Sequence, residues 1–390
     1  MIRHALPVLV AACFACGERA SEEPASGTGA GGSTPVGRVE RGGETLVVVT
    51  IDGLRGARLT APLEPGWPDP APNLRALAAE SVVFEDHVAA CTGLNGGIAT
   101  LLTGLYAREH GVGSLRQRGL TALPADRVTV TEALAEVDWR CLGAFAAPQL
   151  DPALSGLDQG FDELRAPGLF AGRVRTVEQL WPDLRPALEA ELSSGAPHFA
   201  LLQLGDLTLA EVPAVSEATP FLRAHLAPFA QRDELLAGAL GRFENDPVAG
   251  VEALMGQLGR GRGSAAWVAL QAAGVDTRLF LVDRMLGELV ELLRSAGRWE
   301  RSSLVVTATR GLADRSADAG EAAFSRAIAR PALLVRFPGG APRGRSDRPT
   351  SATDLAATIL DAVDVPSALD PRAGPSVLPA LAGDVTPTPV

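Results

Sequence analysis

One glycine-rich segment, residues 88–112, carries the residue types with the most evident chemistry. It places small turn residues, among them Gly93, Gly96 and Gly97, ahead of an apolar run that stops at Gly104. A small-residue loop that leads into a helix collects backbone N–H groups and the positive end of the helix dipole at one point, and anionic esters bind at such points. The segment therefore predicts an anion site, with a tight turn into a buried helix as the alternative.

An acidic residue follows the first strongly apolar stretch of the chain. Residues 45–51 form a continuous run of apolar and β-branched side chains, which is typical of a buried parallel strand, and Asp52 comes directly after it. Ligands bind at the carboxyl ends of such strands. Asp52 is therefore a candidate ligand or catalytic residue, with a turn or a helix cap as the alternative role. A helix is predicted to begin at Pro72, and a short strand is predicted over residues 81–84.

The composition limits the classes of function. The chain has 390 residues, of which 46% are apolar, and this is enough for one large α/β domain or two smaller ones. Its net charge of −11 argues against a surface that binds nucleic acid. The sequence contains 35 arginines and no lysine. No mechanism in this chain can therefore use a lysine.

The N-terminal residues are predicted to direct the protein to a membrane and to tether it there. Residues 1–16 combine Arg3 with a short apolar run and two cysteines, which is typical of a bacterial lipoprotein signal peptide. The letters VAAC resemble a lipobox, so Cys13, or its rival Cys16, is predicted to carry the lipid. Residues 17–43 are rich in Gly, Ser, Pro and Glu and predict a flexible linker. A cleaved secretory signal is the alternative.

These features predict a lipid-anchored protein of the bacterial cell envelope, on the periplasmic or the outer side of a membrane. After the linker, residues 44–390 are predicted to form the folded domain. Two cysteines lie in this domain, Cys91 and Cys141, so it holds at most one disulfide bridge.

Several segments occur in an order that resembles the sulfatase family of the alkaline-phosphatase superfamily. In the first half they read TLVVVTIDGLRGARL, APNLRALAAESVVFEDHVAA, ATLLTGLYAREHGV and LSGLDQGFDEL. In the second half they comprise a helix over 279–297, strands over 303–307 and 332–340, a helix over 350–363 and the closing SVLPALAG. The resemblance covers about residues 45–383 and is weakest over 165–275, a divergent helical region. It implies an α/β fold with a mostly parallel central sheet, flanking helices and a smaller C-terminal part.

The nucleophile of the family has no counterpart in this chain. Members of the family hold a divalent metal and attack the ester with a formylglycine, a serine or a threonine. The resemblance places the nucleophile at Leu94 and its partner arginine at Ile98, and neither side chain has the required chemistry. Cys91 lies three positions too early, in the context CTGLN, which lacks the residues that formylglycine formation needs. We interpret Cys91 as a buried structural thiol.

The metal ligands of the family are lost in the same way. Asp52 is the surviving candidate, because the second ligand pair aligns with Thr309 and Arg310 and a hard cation needs several oxygen ligands. The family's histidine after a core strand falls on Thr208, whereas the acid of that motif remains as Asp206. We therefore expect no cofactor, and we expect Arg310 to form an ion pair with Asp52 in the vacated metal position.

The primary functional prediction is a sulfatase-fold envelope lipoprotein without sulfatase chemistry, a pseudoenzyme with a binding or scaffolding role. Its partners would be the membrane, through the lipid, and an anionic small molecule or glycan. That anion would be held by Arg55 or Arg310 and by the amides around Gly96 and Gly97. Ordinary ion pairing is the alternative role of the two arginines, and a purely structural protein with a closed cleft is a further alternative.

An active ester hydrolase with a rearranged site is the alternative function. Its residues would be Cys91 or Thr92 as the nucleophile, Asp52 and Asp206 as ligands of a calcium or magnesium ion, and Asp314 and Asp318 as additional acids. This hypothesis predicts metal-dependent turnover of sulfuric or phosphoric esters that is lost in Asp52→Ala.

Overall fold

The computed structural model describes most of the predicted folded domain. Its described residues are 44–113, 121–168, 171–209, 211–261, 263–312, 325–340 and 342–381. The predicted signal peptide and linker lie outside these residues, together with Cys13, Cys16, Asp314 and Asp318.

The strands are numbered in chain order. They are β1 (Thr45–Ile51), β2 (Val82–Phe84), β3 (His87–Val88), β4 (Arg140–Phe145), β5 (Glu163–Arg165), β6 (His198–Leu204), β7 (Ser302–Thr307), β8 (Leu333–Arg336), β9 (Gly344–Ser346) and β10 (Thr350–Ser351).

Eight of these strands form one sheet in the order β5-β4-β6-β1-β7-β8-β2-β9. The central strand β1 runs parallel to β6 on one side and to β7 on the other. Every residue of β1 is buried, which is why its sequence reads as a continuous apolar and β-branched run. β8 runs antiparallel to β7 and β2, and the other pairings in the sheet are parallel. The predicted mostly parallel sheet is confirmed.

The helices are likewise numbered in chain order. They are α1 (Ala57–Thr60), α2 (Pro72–Ala79), α3 (Leu94–Thr103), α4 (Ala107–His110), α5 (Val130–Ala135), α6 (Pro152–Ser155), α7 (Val177–Ser194), α8 (Thr219–Ala230), α9 (Glu234–Asn245), α10 (Pro247–Leu258), α11 (Ala265–Ser295), α12 (Arg326–Ala329), α13 (Asp354–Ala362) and α14 (Leu378–Leu381).

Helices cover both faces of the sheet, and each face has its own apolar core. On one face α3, α5 and α13 pack with Leu46 and Val48 of β1. On the other face α2, α7 and α11 pack with Val47 and Val49. Successive side chains of a strand point to opposite faces, so a single strand contributes to both cores. The sheet is thereby enclosed between two helical layers, as the predicted fold class requires.

A third apolar cluster lies within the predicted divergent region, residues 165–275. Helices α8, α9 and α10, here called the helical cap, bury Phe221, Leu236 and Phe243 against the N-terminal half of α11. Within the described residues, α11 is the helix long and apolar enough to cross a membrane by length and composition, and 56% of its most apolar window is buried in the protein. The region also contains β6, a central strand of the sheet.

Several boundaries predicted from local signals are confirmed. The first strand covers residues 45–51, and the first long helix begins at Pro72. The apolar run of α3 ends at Gly104, which adopts a left-handed conformation with φ of 72° that few other residues tolerate.

Other boundaries were wrong. Gly96 and Gly97 lie in the first turn of α3 rather than in a loop before it. Helix α11 begins at Ala265 rather than near residue 279, because its first half packs against the cap. The closing strand and helix are shorter than predicted, at Leu333–Arg336 and Asp354–Ala362.

Candidate functional site

The centre of the site is Asp52, at the carboxyl end of β1. The N–H of Asp52 donates to the carbonyl of Leu204 at 2.9 Å and extends the pairing of β1 with β6. The Asp52 side chain is 2% exposed. Burial raises its pKa to about 6, although a hydrogen bond from Thr309 and attraction to Arg310 lower it. Asp52 thus lies at the edge of the sheet where parallel α/β proteins bind ligands.

The direct partner of Asp52 is Thr309, two residues after β7. Thr50 pairs with Thr307 in the sheet, and the same register continued by two residues brings Asp52 opposite Thr309. The Thr309 Oγ1 donates to Asp52 Oδ1 at 2.5 Å, a length typical of a hydroxyl bound to a carboxylate. Arg310 acts on Asp52 only by longer-range attraction. The expected Arg310–Asp52 ion pair is therefore not formed as a direct contact, and the neighbouring hydroxyl takes its place.

Gln203 is a third polar group at the site, and sequence reasoning missed it. It lies in β6 without exposed surface. Its Oε1 accepts from the N–H groups of Ala146 and Ala147 at 3.0 and 3.2 Å, and its amide helps to lower the pKa of Asp52. Its Nε2 has no well-formed hydrogen bond to any residue that the structure describes. The signal in the sequence was a single amide in the run FALLQL, because a buried polar side chain in a central strand needs a partner.

The first turn of α3 closes another side of the site. The helix begins at Leu94, which is 9% exposed, and its N-cap Gly93 provides no side-chain hydrogen bond. The N–H of Gly97 makes the first intrahelical bond, to the carbonyl of Gly93 at 2.9 Å, so the three N–H groups before it have no helical partner. A Cβ at Gly97 would lie 2.5 Å from the Cβ of Thr309. The lack of a side chain at Gly97 therefore lets α3 pack directly on Thr309.

The thiol of Cys91 lies beside the same turn. A Cβ at Gly96 would lie 3.0 Å from the Cys91 Sγ, and this Sγ donates to the carbonyl of Gly93 at 3.2 Å. The residue is partly exposed rather than buried as predicted. Burial of the thiol raises the pKa of Cys91, while Arg310 lowers it and Asp52 raises it. The thiol is consequently protonated near neutral pH and is a weak nucleophile.

Asp206 and Thr208 lie after β6, but their hydrogen bonds are structural. Asp206 has no exposed surface, and its Oδ1 accepts from the N–H of Val177, the first residue of α7, at 3.0 Å. Burial raises the pKa of Asp206 to about 6. Thr208 donates to the carbonyl of Gly205 at 2.7 Å within its own turn. Asp206 thus stabilises the start of α7, a role that differs from the metal ligand of the alternative hypothesis.

Two buried histidines also contribute to packing. The Nε2 of His110 lies 3.2 Å from the Thr100 Oγ1, and its Nδ1 accepts from the N–H of Val112 at 3.0 Å. Burial lowers the pKa of His110 to about 4 and the pKa of His87 to about 3. Both rings are neutral at pH 7, and His110 joins α3 to the segment that follows α4.

The remaining predicted positions are Ile98, Arg55 and Arg310. Ile98 has no exposed surface and belongs to the core beneath α3, so it offers an anion no charge. The N–H of Gly53 donates to the carbonyl of Arg310 at 3.0 Å. A Cβ at Gly311 would lie 3.2 Å from the Cγ of Arg55. The chain segments that carry Arg55 and Arg310 therefore leave the sheet side by side.

This donor set does not fit a divalent cation. Among the described residues, Asp52 is the one carboxylate that the centre offers; one of its oxygens accepts from Thr309, and the guanidinium of Arg310 acts on it. A hard cation takes about six oxygen ligands and is repelled by a neighbouring positive charge. In the part of the chain that the structure describes, no three His, Cys, Asp or Glu side chains are grouped so that they could hold a metal ion.

The fold and the site define an α/β protein whose polar centre lies between the carboxyl edge of a parallel sheet and the start of a helix. No family model and no curated protein matches the sequence. The phosphonate monoester hydrolase of Agrobacterium radiobacter superposes with a TM-score of 0.57 at 19% identity, over 88% of this chain and 78% of that chain. A 2-O GAG sulfatase superposes with a TM-score of 0.58 at 14% identity, over 88% of this chain and 75% of that chain. The lipoteichoic acid synthase LtaP from Listeria monocytogenes superposes with a TM-score of 0.57 at 14% identity, over 86% of this chain and 76% of that chain.

The chain therefore has the fold of these sulfatases and phosphonate monoester hydrolases. The fold predicted from the order of sequence segments is confirmed.

Proposed function

We propose that the protein is a sulfatase-fold pseudoenzyme that binds an anionic ligand and does not hydrolyse esters by the metal-dependent route. The observation that carries this proposal is the hydrogen bond from Thr309 to Asp52. In this bond the hydroxyl proton of Thr309 points at Asp52, the one acid that the resemblance retains at the position of the family's metal site. Arg310 supplies positive charge at the position where the family has a metal ligand.

The described residues of the same centre also offer no activated attacking group. Leu94, at the start of α3, has an alkyl side chain. The hydroxyl of Thr309 is bonded to Asp52, and the thiol of Cys91 keeps its proton because burial raises its pKa. Among the described residues the centre therefore offers no activated nucleophile, and its donor set does not suit the cation that would activate one.

An anion is the ligand that the remaining groups favour. The N–H groups of Leu94, Asn95 and Gly96 precede the first helical bond of α3, at the positive end of its dipole. Arg310 adds a full positive charge, and the Nε2 of Gln203 adds a buried donor. A small molecule or glycan with a sulfate or phosphate group suits these donors, and the GAG sulfatase among the structural neighbours supports a glycan.

Calorimetry with inorganic sulfate and phosphate tests this site. We expect both anions to bind the wild-type protein and Arg310→Gln to weaken that binding by about tenfold or more, because the variant removes the charge and keeps a similar length. A conservative control is Arg223→Gln, on the outer surface of the cap. Equal affinities in the two variants would contradict the proposal.

Metal content tests the other half of the proposal. The purified full chain would be dialysed against calcium, magnesium, manganese and zinc in turn. We expect far less than one ion per chain, in wild type and in Asp52→Ala alike. A stoichiometric ion that disappears in Asp52→Ala would mean that a metal site exists and that the proposal is wrong.

A gain-of-function variant makes the metal test sharper. Thr309→Asp combined with Arg310→Asn supplies two oxygen ligands next to Asp52 and removes the opposing charge. We expect this double variant to bind a divalent cation that the wild type does not bind. A folded double variant without metal would contradict the assignment of these two positions to the lost ligand pair.

The proposal includes an envelope location with a lipid on Cys13 or Cys16. The signal-like residues 1–16 and the linker composition of residues 17–43 support it. Metabolic labelling with palmitate tests it: one of Cys13→Ser and Cys16→Ser should lose the label, and labelling that survives in both single variants would contradict a single lipidated cysteine.

One observation favours the alternative function, an ester hydrolase with a rearranged site. The partly exposed Cys91 lies within electrostatic reach of Arg310 and Asp52. This alternative predicts turnover of a sulfate, phosphate or phosphonate ester that Cys91→Ser abolishes. Turnover that persists in Cys91→Ser would exclude the thiol as the nucleophile.

A further inference from the structure

A second cluster of polar and aromatic side chains lies outside the centre, where α8 of the helical cap meets α1 and α11. Asp276 of α11 has 8% of its side chain exposed. Its Oδ1 lies 2.7 Å from the Nη2 of Arg58 in α1, and its Oδ2 lies 2.8 Å from the Nε2 of His225 in α8. Both carboxylate oxygens are engaged, so this one acid joins three separate helices.

The contact with Asp276 fixes the tautomer of His225. A carboxylate can only accept, so the Nε2 of the imidazole carries the proton and donates it to Asp276. In the neutral form of the ring the Nδ1 of His225 therefore carries the lone pair, because the hydrogen bond to Asp276 uses Nε2. With 15% of its side chain exposed, His225 offers solvent an oriented acceptor.

The same histidine holds an exposed indole. Trp67, in the segment between α1 and α2, packs edge to face with His225, with ring centroids 4.8 Å apart and an angle of 88° between the planes. Trp67 remains 39% exposed. An indole that is held in one orientation and yet remains in solvent offers a flat apolar surface at little cost in side-chain entropy.

This cluster lies along the same edge of the sheet as the centre. The chain leaves β1 at Asp52, passes Arg55 and reaches Arg58 after one short turn, in which the N–H of Arg58 donates to the carbonyl of Arg55 at 2.9 Å. Helix α11, which carries Asp276, also packs against the turn Asp206–Thr208 that follows β6. Both the centre and the cluster therefore involve segments that follow the carboxyl ends of β1 and β6.

The three exposed groups of the cluster complement a sugar. A flat indole packs against the apolar face of a pyranose ring, the Nδ1 of the neutral His225 ring accepts from a hydroxyl, and Arg58 keeps donors beyond the one that forms the ion pair with Asp276. We propose that Trp67, His225 and Arg58 form a subsite that binds the saccharide ring of a ligand whose anionic group occupies the centre. This inference rests on the proposed function, because it places the ring beside an occupied anion site.

Calorimetry with the full chain and three probes, glucose 6-sulfate, inorganic sulfate and glucose, tests the subsite. We expect glucose 6-sulfate to bind about tenfold more tightly than inorganic sulfate, because the ring adds contacts. Trp67→Ala should remove that advantage and leave the affinity for inorganic sulfate within about twofold of wild type. Leu63→Ala is the matched control, since Leu63 belongs to the same segment and is similarly exposed, at 40%.

The outcomes separate the two proposals. If glucose 6-sulfate keeps its advantage over inorganic sulfate in Trp67→Ala, the subsite is wrong and the anion site stands. If the advantage is absent in wild type, the subsite is equally wrong. If neither anion binds the wild-type protein, the proposed function fails and the subsite fails with it. His225→Phe keeps an aromatic ring against Trp67 but removes the acceptor, so a loss of only part of the advantage is the result expected of this variant.

Discussion

At the scale of single residues, Thr309 and Arg310 act on Asp52 in different ways. The hydroxyl of Thr309 donates directly to the carboxylate, whereas the guanidinium of Arg310 contributes attraction at a longer distance. Together they do not outweigh the effect of burial, because the pKa of Asp52 is still raised to about 6. At neutral pH burial therefore disfavours the ionised form of Asp52. The hydrogen bond from Thr309 is the largest effect that stabilises this carboxylate.

Thr309→Val tests this role. The variant keeps the shape of the side chain but leaves the buried carboxylate without its hydroxyl donor, so we expect a loss of about 1–3 kcal/mol in the free energy of unfolding at pH 8. At pH 5 the loss should be smaller, because Asp52 is then protonated in the folded state. Urea unfolding at the two pH values measures both effects.

A double-mutant cycle provides the control for this prediction. In an Asp52→Asn background the charge is absent, so Thr309→Val should cost clearly less than it does in wild type. An equal cost in the two backgrounds would mean that Thr309 stabilises the protein through packing alone.

The pH dependence of stability separates the buried histidine from the buried acid. The pKa of His87 is about 3 in the folded protein against 6.5 ordinarily, so between pH 6 and pH 4 the unfolded chain holds a proton that the folded protein lacks, and stability falls by at most about 1.4 kcal/mol per pH unit as the pH falls. The raised pKa of Asp52 has the opposite effect, because there the folded protein takes up the proton.

Two variants check these signs by urea unfolding between pH 6 and pH 4. His87→Leu should lose stability less steeply than wild type, and Asp52→Asn should lose it more steeply. An unchanged slope in His87→Leu would show that this histidine titrates in the folded protein much as it does in the unfolded chain.

The sequence predicted part of this site. Asp52 could be placed because a buried strand ends directly before it. The assignment of the nucleophile position to Leu94, made from its spacing to Gly104, stays a prediction. The partnership of Asp52 with Thr309 rather than Arg310 depends on strand register across 257 residues, which local patterns do not contain. Gln203 was missed because its role depends on the neighbouring strand.

At the scale of elements, the start of α3 depends on two glycines inside the helix. Glycine is unfavourable there, by about 1 kcal/mol relative to alanine, and contacts explain its presence. Gly97 packs against Thr309, and Gly96 packs against the thiol of Cys91. The helix start is thereby brought against Thr309, just after the end of β7.

Gly97→Ala tests this close approach. The new methyl group would meet the Cβ of Thr309 at 2.5 Å, so we expect a loss of about 1–3 kcal/mol in the free energy of unfolding, together with weaker sulfate binding. Gly238→Ala is the matched control, because Gly238 in α9 has no atom near its would-be Cβ and should gain up to about 1 kcal/mol. Chemical unfolding of both variants measures the difference, and a stable Gly97→Ala would contradict the packing.

Elements with complete local signals were predicted best. The strand over residues 45–51 shows an uninterrupted apolar run, α2 begins with a proline, and α3 ends at a glycine, and each of these signals lies within one element. The first half of α11 was missed because it buries its side chains against the cap, whose partner surfaces come from distant parts of the chain. The antiparallel direction of β8 likewise has no local signal.

At the scale of the whole molecule, the cap has a core of its own. Helices α9 and α10 approach so closely that a Cβ at Gly250 would lie 2.1 Å from the Cα of Phe243, which is itself 1% exposed. Contacts of this kind are formed within the cap and owe little to the sheet. Such a unit is expected to open independently of the rest of the domain.

Phe243→Ala tests the independence of the cap. Removing the ring should cost about 3–5 kcal/mol in the stability of the cap, because the cavity forms between tightly packed helices. Hydrogen exchange followed by mass spectrometry should show faster exchange in α8, α9 and α10 and little change in β1, β6 and β7. Equal acceleration throughout the chain would mean that the cap and the sheet unfold as one unit.

The position of β1 also has a mechanical consequence. The chain enters this central strand at Glu44, which Arg298 and Arg301 hold by ion pairs, and leaves it at Asp52 on the opposite edge of the sheet. A pulling force applied at Glu44 acts along the axis of β1, whose residues pair with seven residues of β6 and six of β7. Those hydrogen bonds would share the load in shear instead of opening one after another. A tether attached at this end would therefore pull on the part of the domain best able to resist extension.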